Sequence, residues 1–262
     1  MGGIACGMSQ KAKLAGRIIY ASKATRIAKA SRLGIVVSAV LTFLIFAISY
    51  YGEVVGNFSF SVDRLALDAG ITMYDDPEVP DFVTRIIANK VDEADGMTAY
   101  CGTEYTEFSI GDSVCIPSDE ELGSVNGPNN GENYLVQTFY VQNAGQYAVD
   151  LAATISLLSV TKGADEAVRV RVIFNGVGTT YARVQSASGD NPGMLEPLTD
   201  PFVGATTVMN QEFIEFQPEQ TLKVTVILWY EGEDSNHNIN LHSGGVKFEM
   251  KFTISRIYNP NL

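Results

Sequence analysis

From residue 54 onward, hydrophobic and polar positions alternate with the two-residue period of strands whose side chains point to opposite faces. In GNFSFSVD, Phe58, Phe60 and Val62 share one face, while Asn57, Ser59 and Ser61 share the other. In TLKVTVILWYEGE the shared face holds Leu222, Val224, Val226, Leu228 and Tyr230. Val246, Phe248, Met250, Phe252 and Ile254 repeat the pattern opposite Lys247, Glu249, Lys251 and Thr253. Tyr134–Gln142, Tyr147–Val160, Ala167–Phe174, Thr179–Val184 and Gln211–Gln217 read as further strands. The helix predicted beyond residue 54 is Asp81–Val91, with Asp81 as N-cap after Pro80.

Turn chemistry punctuates these runs. Asn175-Gly176 separates two of them and suits the positive φ of a tight hairpin. Asn126-Gly127, Asn130-Gly131, Asn143-Ala144-Gly145, Ser188-Gly189-Asp190 and Ser243-Gly244-Gly245 mark other turns. Strands with one apolar face each must cover that face, which predicts an all-β fold of two sheets packed face to face. Two stretches exceed a minimal sandwich and read as insertions: Met73–Tyr100, which holds the helix, and Pro117–Glu132, which reads as loop.

Ahead of the strands the pattern changes. Gly34 to Tyr51, GIVVSAVLTFLIFAISYY, carries no charge and no proline. With Leu33 it has the length a helix needs to cross a bilayer core, and Tyr50 and Tyr51 close it with rings suited to the membrane boundary. Residues 1–33 hold Lys11, Lys13, Arg17, Lys23, Arg26, Lys29 and Arg32 with no Asp or Glu. The domains expected are therefore a basic cytoplasmic tail at 1–32, a single transmembrane anchor or signal segment at 33–51, and an extracellular β-sandwich at 52–262. The basic flank stays inside and the remainder is exported. Ala47 and Ser49 would suit a cleavage near Ser49, so a retained signal-anchor and a released domain both stay open. Residues 11–32 fit either a basic amphipathic helix on the inner leaflet or a solvated tail.

Charge sharpens this division. The chain has 262 residues, 18 Lys+Arg against 30 Asp+Glu and a formal net charge of −12, with all of the acid beyond the apolar run. An acidic exported body does not neutralise phosphates, so nucleic acid is not an expected partner. Outside the cell Cys101 and Cys115 are a disulfide candidate, worth about 3 kcal/mol by loop-closure entropy. Cys6 falls on the other side of the membrane.

Catalytic apparatus is sparse. His237 and His242 are the only histidines and are five apart, without the His-Glu-x-x-His spacing that puts two imidazoles on one helix face. No Gly-x-Ser-x-Gly occurs. The chain reads as a non-enzyme with no cofactor. Weak calcium candidates are the loop carboxylates Asp75 and Asp76 in YDDPEVPD, and Glu231, Glu233 and Asp234 in YEGEDSN. Trp229 and Tyr230 lie on opposite faces of one strand, and Trp229 shares its face with Ile227, which favours a packed indole.

A short strand directly after the hydrophobic segment (GNFSFSVD), the run YLVQTFYVQNAGQYAVDLAATI and the C-terminal FEMKFTISRIY together resemble the TasA/camelysin group of bacterial surface and biofilm-matrix proteins. The resemblance implies a jelly-roll-like antiparallel β-sandwich. It also implies matrix-fibre subunits joined when an N-terminal strand of one copy enters the sheet of the next. Mapped onto this chain, the strand-exchange candidate is the segment bearing Val54, Phe58, Phe60 and Val62. An uncleaved anchor would hold that strand at the membrane. The metallopeptidase activity attached to the camelysin name lacks its His-Glu-x-x-His here. The expected function is a cell-surface-anchored or secreted structural or adhesive protein that self-associates or binds other surface proteins. An extracellular ligand- or carbohydrate-binding module is the alternative.

Overall fold

A computed structural model describes residues 35, 37–43, 58–91, 94–101, 114–186, 192–234 and 244–259. They belong to two units, Met1–Val55 and Gly56–Leu262. In the first, residues 35 and 37–43 are helical. Ile35, Val37, Val40, Leu41 and Phe43 are exposed on this helix. Among the described residues no helix is long and apolar enough to cross a membrane, and most of the 33–51 segment lies outside them.

Strands make up most of the regular structure of the second unit. In chain order they are β1 (Phe58–Val62), helix α1 (Arg64–Asp68), β2 (Ile71–Tyr74), β3 (Arg85–Ile87), β4 (Met97–Thr98), β5 (Val114–Cys115) and helix α2 (Asp119–Gly123). Then come β6 (Gly127–Pro128), β7 (Tyr134–Asn143), β8 (Val149–Thr161), β9 (Val168–Phe174) and β10 (Val177–Ala182). The chain ends with β11 (Asp200–Pro201), β12 (Thr207–Phe216), β13 (Thr221–Tyr230) and β14 (Gly245–Ile257).

Two sheets face each other. One has the order β12-β8-β14-β1-β3, the other β11-β10-β9-β13-β7-β2, with β6 also paired to β7. The apolar faces read from the alternation meet between them. Phe58, Phe60, Phe248, Met250 and Phe252 of the first sheet pack into one core with Phe139, Val170, Val224 and Val226 of the second. The Phe60 and Phe139 rings are 4.5 Å apart across the layers, and Phe174 meets Phe213 edge-on at 5.0 Å. Burying side chains of this size, at about 1.5–3 kcal/mol each, drives the closure of the layers.

Not every pairing is antiparallel. β1 runs parallel to β14, with Phe58 opposite Phe248 and Val62 opposite Phe252. β10–β11 and β4–β5 are parallel as well. First and last strands lie side by side because their phenylalanines fill the same stretch of core, and nothing in their local sequence fixes their relative direction.

Two expected elements are corrected. The helix predicted over Asp81–Val91 is an extended segment holding β3, whose Ile86 pairs with Phe60. Val83, Thr84, Ile86 and Ile87 are β-branched, and the open edge of β1 outweighs the Asp81 cap signal. Pro117–Glu132 is not simply loop. It contains α2, capped by Ser118 Oγ accepting from the Glu121 N–H, and β6, whose Gly127 takes a positive φ. Helix α1 follows β1 without any helical periodicity to announce it; Asp63 caps it by accepting from the Leu65 N–H.

The hairpin at Asn175-Gly176 has the backbone its sequence demands, with φ of 48° and 87°. At the Asn143-Ala144-Gly145 turn the reason is different. Asn143 is fully buried, donates to the Tyr147 and Phe216 carbonyls at 2.9 and 2.8 Å and accepts from the Gly145 N–H. A Cβ on Gly145 would overlap the Ala69 carbonyl.

Candidate functional site

The outer face of the seven-stranded sheet carries an apolar patch on its β13 strand. On β13, Lys223, Thr225, Ile227 and Trp229 alternate with the core residues. Ile227 and Trp229 register with Val136 and Tyr134 of β7 on one side, and with Arg171 and Arg169 of β9 on the other. An apolar patch on a solvent-facing sheet surface needs a cover. Met97 of β4 and Leu122 of α2 supply it, forming a second small core with Val136, Ile173, Ile227 and Trp229. Trp229 is 2% exposed, so its indole is packed, though against this cap and not between the sheets.

The cap is tied down in three ways. Cys101 and Cys115 are joined by a disulfide with a Cα separation of 5.9 Å. Arg171 holds the first residue of α2 with one edge of its guanidinium, Nε to Asp119 Oδ1 at 2.7 Å and Nη2 to Asp119 Oδ2 at 2.6 Å, while Nη1 donates to Thr180 Oγ1. Gly178 beside it leaves the space this guanidinium occupies. Finally, β4 meets the end of β13: Met97 bridges Glu231, and the Gly232 N–H donates to the Met97 carbonyl at 2.8 Å.

Between cap, sheet and the segment around residues 197–199 lies a cleft of about 360 Å³, bordered by Tyr100, Arg169, Thr180, Leu198, Trp229 and Glu231. Arg169 stands at its base, 1% exposed. Its Nη2 lies 2.9 Å from Asp234 Oδ2 and 3.3 Å from Glu196 Oε2. Burial opposes the charge, but Asp234, Tyr100 and Glu196 hold the Arg169 pKa above its ordinary value. Tyr100 is pushed up to about 12, chiefly by burial, with Arg169 pulling the other way. Glu231 is fully buried. Its Oε2 accepts from the Trp229 indole N–H at 3.2 Å and from the Ala99 N–H at 3.3 Å, and its Oε1 has no hydrogen-bond partner among the described residues.

The residues singled out from sequence are scattered. Phe58, Phe60 and Val62 line the core on β1, flanked by β14 and β3; Val54 lies outside the described residues. Asp75 accepts from Gln137, and burial raises its pKa while that bond lowers it. Asp76 accepts from the Glu78 N–H in a local turn. Asp234 belongs to the Arg169 cluster and Glu231 to the indole; Glu233 lies between them in the turn after β13. Among the described residues no three His, Cys, Asp or Glu side chains converge as a metal-binding group. His237 and His242 lie outside the described residues.

Sequence reasoning passed over Arg169, Arg171 and Glu196. The signal was present in VRVRV, where two arginines alternate with core valines on a strand flanked by other strands. Arginines so placed need carboxylate partners, but the sequence does not say which.

Comparison with known proteins returned no matching family model, no matching curated protein and no matching solved structure.

Proposed function

We propose that this chain is a structural or adhesive protein of the bacterial surface, a jelly-roll-like sandwich displayed outside the membrane that assembles through its first strand. The observation that carries this reading is the placement of β1. It inserts between β14 and β3, pairs parallel to the last strand and buries Phe58 and Phe60 completely. A strand from the chain's beginning, held by core side chains and ladder bonds, fills a slot that the same strand of another copy fits equally well. The helical residues 35 and 37–43 support a membrane anchor. Their apolar side chains are exposed, and the Thr42 hydroxyl donates to the Ser38 carbonyl at 2.8 Å, satisfying itself within the helix as a lipid-facing hydroxyl must. The disulfide suits an oxidising exterior.

Ser61 on β1 registers directly with Lys251 on β14, which provides the test. Chains carrying Ser61→Cys are co-expressed with chains carrying Lys251→Cys and oxidised. Exchange of β1 gives covalent dimers on non-reducing gels. Only monomers, alongside efficient closure in the Ser61→Cys/Lys251→Cys double variant, would mean that β1 always stays in its own sheet.

A further inference from the structure

We infer that the cleft between the cap and residues 197–199 is a binding site for a small ligand bearing a protonated amine, whose ammonium group donates to Glu231 Oε1. This stands independently of strand exchange.

Three observations lead there. The first is charge. Two guanidinium groups, Arg169 and Arg171, stand among four carboxylates, Asp119, Glu196, Glu231 and Asp234. Arg171 is committed to Asp119, and Arg169 to Asp234 and Glu196. No cation among the described residues pairs with Glu231. A buried carboxylate without a cation is costly, and a ligand cation is the group that relieves it.

The second is the unpartnered oxygen. Glu231 lines the cleft with one oxygen engaged by the indole and a backbone N–H, which fixes the carboxylate's orientation, while Oε1 keeps its accepting capacity unused. A carboxylate oxygen accepts only, so its complement is a donor; an ammonium supplies both the donor and the charge.

The third is shape. The cleft has the volume of a small-molecule site. Its single indole is buried and offers no open face, which disfavours a sugar ring held by stacking. Apolar wall residues, Ile116, Leu122, Pro197 and Leu198, suit the carbon skeleton of an amine, and Thr199 and Tyr100 add hydroxyls along the way.

Trp229 is the chain's one tryptophan and touches the proposed acceptor, so its emission reports occupancy directly. The purified full-length chain is titrated at constant ionic strength with ethanolamine, 1,5-diaminopentane and glucosamine. Their uncharged counterparts, ethylene glycol, 1,5-pentanediol and N-acetylglucosamine, and calcium chloride are titrated in parallel. At least one amine is expected to shift the emission saturably while its counterpart does not. Glu231→Gln, which turns the free acceptor into a donor, weakens that binding at least tenfold. Equal responses to amines and neutral counterparts, no saturable response to any amine, a response to calcium alone, or undiminished binding in Glu231→Gln would each overturn the proposal. Should Glu231→Gln not fold, the charged-against-neutral comparison on the unaltered chain decides.

Discussion

Arg169 and Asp234 form an ion pair at 2.9 Å with both side chains shut off from solvent, and the same guanidinium nitrogen reaches Glu196 at 3.3 Å. Strand β9 is thereby joined to two separate turns of chain through a single side chain. Removing one member of such a cluster strands the others as buried, uncompensated charge.

Arg169→Met should therefore cost about 3–5 kcal/mol, since Asp234 and Glu196 lose their common partner. The triple variant Arg169→Met/Glu196→Gln/Asp234→Asn should recover much of that loss. Denaturant midpoints at neutral pH measure both. A triple variant as unstable as the single one would mean that the guanidinium acts through packing and not through charge.

Opening the disulfide should loosen the cap. Cys115→Ser is expected to lower stability by about 3 kcal/mol on loop-closure grounds. Because the cap covers Trp229, the native-state emission of that indole should also move to the red. Equilibrium unfolding and steady-state fluorescence of the same sample read the two effects separately.

High pH should act through two phenols, the buried Tyr100 and the partly buried Tyr230. Tyr100 and Tyr230 are each raised from 10.0 to about 12, with burial the main cause in both. The fold prefers their neutral forms, so the stability they contribute is complete below the unfolded value near 10 and is lost as pH climbs through 12. Ultraviolet titration should show two phenolates appearing late, together with unfolding, while exposed tyrosines ionise earlier.

Low pH works on Asp63 in the opposite sense. The hydrogen bond from Lys251 at 2.7 Å, then that from the Leu65 N–H, depresses its pKa. Its contribution is present above the ordinary carboxylate value and disappears as pH falls through the depressed one. The pair is exposed, so added salt should weaken it. Asp63→Asn should flatten this part of the acid denaturation profile.

Two turn glycines should separate by mechanism. Gly176→Ala meets open space and pays only for its left-handed backbone, on the order of 1 kcal/mol. Gly145→Ala collides with the backbone at Ala69 and should cost clearly more, with the Asn143 hydrogen bonds disturbed. Thermal midpoints of the two variants provide the comparison.

Alternation in the long strands was enough to announce the sandwich. The period-two faces of β1, β13 and β14 are local properties, and the faces they marked as apolar turn into the core between the sheets, with Tyr230 and Ile254 only partly buried at its margin. The hairpin at Asn175-Gly176 was equally legible, because positive φ is a demand made on two adjacent residues alone. Where the decision lay between distant segments, the sequence was silent. Ile86 is in a strand because Phe60 offers it an edge, and the last strand lies beside the first because their aromatic rings share one core. The cleft is the extreme case: Tyr100, Arg169, Glu196, Glu231 and Asp234 come from four stretches of chain, and only folding brings their charges close enough to matter. Hydrophobic patterning is written residue by residue, whereas the pairing of buried charges depends on distances through space that no local run of residues encodes.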